Sequence, residues 1–106
     1  MFKRNRRPTA PGEILRADYM KPRGISVSGM ADAVGVSRKH MSNVVNGKVR
    51  IEWELAGKIA AVLGTTPRLW LNLQANVDAW DAENALGDWK PLRTYPAPAE
   101  DGAQGA

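Results

Sequence analysis

The sequence predicts an all-α protein of five helices, and three observations carry that expectation. Apolar residues recur at i, i+3, i+4 and i+7 in successive stretches between Pro11 and Glu83, the period of a helix with one buried face. Punctuation at Lys21-Pro22-Arg23-Gly24, Gly35-Val36-Ser37, Asn46-Gly47 and Gly64-Thr65-Thr66-Pro67 divides those stretches into helical segments. The chain has 106 residues, of which 43% are hydrophobic and none is cysteine, enough apolar material for one small domain with a single core.

Residues 1–10 precede the first helix as a basic arm, in which Lys3, Arg4, Arg6 and Arg7 follow no apolar period. The arm is either a solvated tail or a segment that lies along phosphates or in a minor groove. Pro11 favours a first helical turn, and Glu13 stands near the positive end of the helix dipole. Pro11, Leu15 and Tyr19 share one face with Ile14 beside them, and Lys21-Pro22-Arg23-Gly24 stops the helix. This helix braces the next two, with Arg16, Lys21 and Arg23 as possible phosphate neighbours.

The central stretch, SVSGMADAVGVSRKHMSNVVNG over residues 26–47, reads as two short helices joined at a tight corner. In the first, Val27, Met30, Ala31 and Val34 line one side, which leaves Ser28, Gly29, Asp32 and Ala33 outward. Gly35 can take the left-handed conformation that ends a helix, and Ser37 is a good N-cap for the next. In the second, Arg38 to about Asn46, the buried side is Met41, Val44 and Val45. Arg38, Lys39, Ser42, Asn43 and Asn46 then face out, a cationic, donor-rich set with no carboxylate. Arginine and lysine pair with guanine edges or phosphates, and asparagine reads adenine with two hydrogen bonds. Such a surface on the second helix of a helix–turn–helix is what enters a major groove. Base reading is accordingly expected of Arg38, Lys39, Ser42 and Asn43, and phosphate contact of Ser37, Asn46, Lys48 and Arg50, where the last two otherwise serve only as surface charge.

Ile51 precedes a fourth helix, from about Glu52 to Leu63, with a stripe of Leu55, Ile59, Val62 and Leu63. Thr66 caps and Pro67 starts a fifth, in which Trp70, Leu73, Val77 and Trp80 form a seam and Leu69 and Leu71 add apolar surface. That surface exceeds the needs of a small monomer, so Leu69, Trp70, Leu73, Val77 and Trp80 are expected at a dimer interface, against the plainer reading of a core stripe. From Asn84 to the end, proline, glycine and alanine predominate and no continuous helix is expected. Within this tail Trp89, Leu92 and Tyr95 either dock as an extended strip, on the domain or on a partner, or stay disordered. The organisation is thus an arm over residues 1–10, a folded domain over 11–83 and a tail over 84–106.

Charge is uneven. Residues 1–64 hold 12 Lys and Arg against 5 Asp and Glu, and residues 65–106 hold 3 against 6, so the basic half contains the helix–turn–helix. A net charge of +4 suits a nucleic-acid partner through counterion release without demanding one. No cofactor is expected. Without cysteine, and with His40 as the one histidine, a structural zinc site has nothing to build on. His40 also lacks a nucleophile and an orienting third group, and no glycine-rich phosphate loop is present, so the inventory disfavours an enzyme. No apolar run is long enough for a signal sequence or a membrane span, which makes a cytoplasmic protein the default.

The run Ala31, Gly35, Val36, Ser37, Met41, Val44, Asn46, Gly47, followed by Lys48 and Arg50, resembles the helix–turn–helix of phage-repressor-type (Cro/C1, or XRE) proteins. PGEILRADYM at Pro11 to Met20, NGKVRI at Asn46 to Ile51 and PRLWLNLQANVDAW at Pro67 to Trp80 are similar, in that order and spacing, to the HigA family of addiction-module antitoxins. The likeness spans about residues 8 to 83 and leaves the tail without a counterpart. It implies a homodimer that binds double-stranded operator DNA with an inverted repeat, represses its own operon and neutralises a cognate HigB-like (RelE-like) mRNA-cleaving toxin. It assigns no toxin-contact residues. A stand-alone phage- or host-encoded repressor would share every DNA-binding feature.

Overall fold

A computed structural model describes residues 6–98, and every regular element among them is helical. The first helix, α1, begins as an α-helix at Pro11–Ile14, widens into a π-helical segment at Leu15–Met20 and closes in a 3₁₀ turn at Lys21–Arg23. It is followed by α2 (Val27–Val34), α3 (Arg38–Val45), α4 (Trp53–Leu63) and α5 (Pro67–Asn84). The five helices enclose one core, with α4 packed on α2 and α5, and with α1 against α3 and α5.

Pro11 opens α1 at a position whose N–H would have no intrahelical partner in any case. The π segment has a packing consequence. The N–H of Lys21 reaches back five residues to the carbonyl of Arg16, and residues five apart thereby come to one side. Leu15 and Met20 are both fully buried as a result. The expected face of Pro11, Leu15 and Tyr19 is present, with Tyr19 half-buried. Met20 joins it because the turn is wider than the α-helical spacing allows for.

Gly12 is buried at the crossing of α1 and α3. A Cβ there would overlap the carbonyl oxygen of Val44 and lie 2.6 Å from its carbon, so the absence of a side chain sets how closely the two helices approach.

The corner between α2 and α3 forms as its residues dictate. Ser26 caps α2 by accepting from the N–H of Gly29 at 2.9 Å. Gly35 takes φ +87°, and the N–H groups of Gly35 and Val36 both reach the carbonyl of Ala31, at 2.8 and 3.0 Å. Ser37 then caps α3 by accepting from the N–H of His40 at 3.0 Å. Met30, Ala31 and Val34 of α2 and Met41, Val44 and Val45 of α3 are buried, as their spacing predicts.

In α4 the buried centre is Ala56, Ile59 and Ala60; Leu55 and Leu63 are half-buried and Val62 is exposed. The stripe expected from large residues is therefore rotated by about one position. Two alanines occupy its middle because α4 is gripped between α2 and α5, where small side chains let neighbouring backbones approach.

The seam of α5 requires a larger correction. Trp70 is 0% exposed and Val77 2%, so neither has surface to offer a second copy. The Trp70 ring meets Tyr19 edge-on, with centroids 5.1 Å apart, and its Nε1 donates to Thr65 Oγ1 at 2.8 Å. Leu69 and Leu73 pack partly buried against the same core, and Trp80 is half-buried. Trp70 and Val77, expected at a dimer interface, thus belong to the core, whereas Leu69, Leu73 and Trp80 keep part of their surface in solvent. Leu71, on the other side of α5, remains exposed.

After Asn84 the chain makes a single turn, with Trp89 N–H to the carbonyl of Leu86 at 3.3 Å, and runs without helix to residue 98. Leu86, Trp89, Leu92 and Tyr95 are 60%, 64%, 105% and 82% exposed, so the tail does not lie on its own domain.

Candidate nucleic-acid interface

Burial of Met41, Val44 and Val45 fixes the rotation of α3, and its other sides carry Arg38, Lys39 and His40 exposed with Ser42 and Asn43 half-exposed. The predicted base-reading set is thus brought together on one outward face. Ser28 of α2 orients it: Arg38 Nε donates to Ser28 Oγ at 2.9 Å, which holds the guanidinium and leaves its terminal nitrogens free of partners among the described residues. No carboxylate among those residues pairs with Arg38, Lys39 or Lys48.

The phosphate set divides. Ser37 is exposed, with its oxygen engaged in the α3 cap, and its hydroxyl proton and the first N–H groups of the helix remain as donors. Asn46 links two elements: its Oδ1 accepts from Arg16 at 3.3 Å and its Nδ2 donates to Ser42 at 3.4 Å. Arg16, Lys21 and Asn46 line one shallow cleft beside the end of α3 together with Glu13, so α1 brings two cations and one carboxylate to this edge. Lys48 stands exposed in the loop.

Arg50 departs from expectation. Its two terminal nitrogens hold both oxygens of Asp78, at 2.8 and 2.7 Å, and its Nε donates to Glu52 at 2.9 Å. Asp78 also accepts from Gln74 Nε2 at 3.1 Å, while Gln74 Oε1 accepts from the buried N–H of Ile51 at 2.8 Å. A guanidinium whose charge is already balanced by two carboxylates is a weaker phosphate ligand than a free one, and Arg50 ties the loop after α3 to α5. Arg23 is likewise turned onto the protein, 5.5 Å over the Tyr19 ring and 3.5 Å from the Leu63 carbonyl. Arg7 binds Asp81 through two hydrogen bonds at 2.8 and 3.0 Å, so the end of the basic arm is anchored to α5; Lys3 and Arg4 lie outside the described residues.

Gln74 was not expected in a site. Its signal was a polar residue at helical spacing between Trp70 and Val77, where an apolar stripe is interrupted for a buried partner.

These pairs titrate. The Arg50 guanidinium, which lies beside Asp78, lowers the carboxyl of Asp78 below its ordinary 3.8, and Arg7 does the same to Asp81. A carboxyl with a lowered folded pKa contributes stability above its unfolded value and loses it as pH falls through the folded one. Stability is therefore expected to hold between about pH 7 and about pH 5 and to decline below the ordinary carboxylate range. In denaturant titrations across pH, the double variant Asp78→Asn, Asp81→Asn should be weaker at neutrality and flatter on the acid side. An unchanged acid slope would show that other carboxylates control it.

Fold and exposed face together define a helix–turn–helix protein. The family model described as "Helix-turn-helix" matches residues 17–70. Antitoxin HigA-1 of Vibrio cholerae is 45% identical over 84 residues, covering 79% of each chain. The uncharacterised HTH-type transcriptional regulator YbaQ of Escherichia coli K12 is 35% identical over 100 residues, which cover 94% of this chain and 88% of its own. A solved structure described as Pseudomonas aeruginosa antitoxin HigA with higBA promoter superposes with a TM-score of 0.67 at 27% identity, covering 82% of this chain and all of that one. The chain belongs to the HigA family of helix–turn–helix antitoxins, whose members are DNA-binding regulators rather than enzymes. No helix among the described residues is long and apolar enough to cross a membrane.

Proposed function

We propose that this protein is a homodimeric operator-binding antitoxin that represses its own operon and neutralises a cognate HigB-like toxin. The supporting observation is the outward face of α3, where Arg38, Lys39, Ser42 and Asn43 stand together with no acid among them. One α3 per subunit enters the major groove, and the two half-sites of an inverted repeat lie about 34–36 Å apart or a multiple of that. Arg38, Lys39, Ser42 and Asn43 read base edges, while Ser37, Asn46 and Lys48, aided by Arg16 and Lys21, hold phosphates. The folded unit is residues 11–83, and the arm and tail flank it.

Base and phosphate roles separate by titration against cognate and random duplexes. Asn43→Ala is expected to cost about 1–3 kcal/mol on the cognate site and less on random DNA. Lys48→Ala should weaken both alike and lower the salt slope by about one. If Asn43→Ala weakened both duplexes equally, the base-reading assignment would be wrong.

A second reading is a stand-alone transcriptional repressor, which the likeness over 94% of the chain to YbaQ, described only as an uncharacterised HTH-type transcriptional regulator, also fits. Co-expression with the adjacent open reading frame separates the two. Copurification and rescue of growth support the antitoxin, and an adjacent frame that is neither toxic nor bound supports the repressor.

A further inference from the structure

We infer that Asp78 of α5 is a positioning residue for DNA binding, a carboxylate that raises affinity for a polyanion by holding the loop after α3 so that Lys48 meets phosphate. The inference rests on the operator-binding reading above and gives Asp78 a role opposite in sign to its charge. The loop is fastened at both ends. At its start the N–H groups of Gly47 and Lys48 reach the carbonyls of Val44 and Asn43 at 3.0 and 2.9 Å, which ties the backbone of Lys48 to a residue of the base-reading face. Gly47 makes the turn with φ +76°. At its end Asp78 accepts from both terminal nitrogens of Arg50 and from Gln74, whose Oε1 in turn accepts from the buried N–H of Ile51. Side chain and backbone of the loop's end thus converge on one carboxylate. Glu52 also binds Arg50, but it lies at the loop's own end and cannot tie it to α5.

Between these fastenings Val49 packs partly buried against the core, and Lys48 stands exposed with no carboxylate partner among the described residues. Two effects of Asp78 on DNA therefore compete. A carboxylate repels phosphate, and on that ground alone its neutralisation should tighten binding. The repulsion is small here, because Arg50 balances the charge and the side chain is 41% exposed, where salt screens it within about 8 Å. The fastening acts the other way. A loop held at both ends offers Lys48 already placed, whereas a loop free at one end must be ordered when DNA binds. Asn at position 78 keeps the shape of the side chain and loses the charge-assisted pair that holds Arg50.

The test is a double-mutant cycle in the full chain. Wild type, Asp78→Asn, Lys48→Ala and the double variant are titrated against cognate and random duplexes over a salt series, at a temperature where thermal melts show all four folded. Asp78→Asn is expected to weaken both duplexes by about 2- to 10-fold, the cost of ordering one long side chain at an interface. Lys48→Ala should then cost less affinity, and lower the salt slope less, in the Asp78→Asn background than in wild type. A merely structural role would leave the effect of Lys48→Ala the same in both. Equal losses from Lys48→Ala in the two backgrounds overturn the inference, and so does an Asp78→Asn variant that binds as tightly as wild type or tighter. If Asp78→Asn does not fold, Arg50→Gln opens the same pair from the other side and is read by the same cycle with Lys48→Ala. A wild type that binds neither duplex overturns the operator-binding reading itself, whereas the variant outcomes bear on Asp78 alone.

Discussion

Replacing Gly12 with alanine is expected to destabilise this protein more than any other change of one methyl group. The added Cβ would overlap the Val44 carbonyl oxygen, a backbone atom of α3 that has no rotamer to move into. Overpacking usually costs about 1–3 kcal/mol, and a backbone clash puts this case near the top, at about 3 kcal/mol. In a domain of this size that corresponds to a melting-point drop of roughly 12–24 °C. The relief available is for α1 to move off α3, the helix proposed to read DNA, so operator affinity should fall with stability. Gly57→Ala is the control. Gly57 lies in the interior of α4 with nothing within 4 Å of the place a Cβ would take, and the change should stabilise by about 0.5–1 kcal/mol through helix propensity. Thermal melts of the two variants moving in the same direction would show that helix crossing distance is not what Gly12 sets.

Trp70→Ala should be the most damaging truncation. The side chain is fully buried, rests edge-on against Tyr19 and satisfies Thr65 through its indole N–H. Truncating a buried tryptophan typically costs about 3–5 kcal/mol, a large part of the roughly 5–15 kcal/mol that keeps a domain folded. Trp70→Phe keeps most of the volume and loses the hydrogen bond, so it should cost about 1–2 kcal/mol. The comparison also tests the placement of α5. A core tryptophan lowers stability at every protein concentration, whereas one serving only a subunit contact would leave the dilute monomer's melt unchanged and shift only the dissociation constant.

Both predictions depend on contacts that no local pattern in the sequence contains. The pattern of apolar residues correctly gave five helices, the corner at Gly35 and the caps at Ser37 and Thr66, because each of these is fixed by residues within one or two turns. It also gave the outward face of α3, since burying Met41, Val44 and Val45 leaves Arg38, Lys39, Ser42 and Asn43 no other side. It failed on α5. Periodicity showed that Trp70, Leu73 and Val77 share a face, and it carries no information about whether that face meets the same chain or another.

The cations illustrate the same division. Lys48 and Arg50 look equivalent in sequence, one on each side of Val49. Only the fold brings Asp78, 28 residues on, against Arg50, and Asp81, 74 residues on, against Arg7. A charged side chain's availability to DNA depends on which carboxylates the crossing of distant helices places within about 3 Å of it.

Near neighbours along the chain set the helices, their caps and the polar face of α3, because helical periodicity and capping are local. Only the folded chain shows that Gly12 must lack a side chain, that Arg50 and Arg7 are held by acids of α5, that Gln74 completes the loop after α3 and that Trp70 and Val77 of α5 are core. Each of these follows from where helices far apart in the chain cross, and that geometry is settled by the packing of the whole core at once.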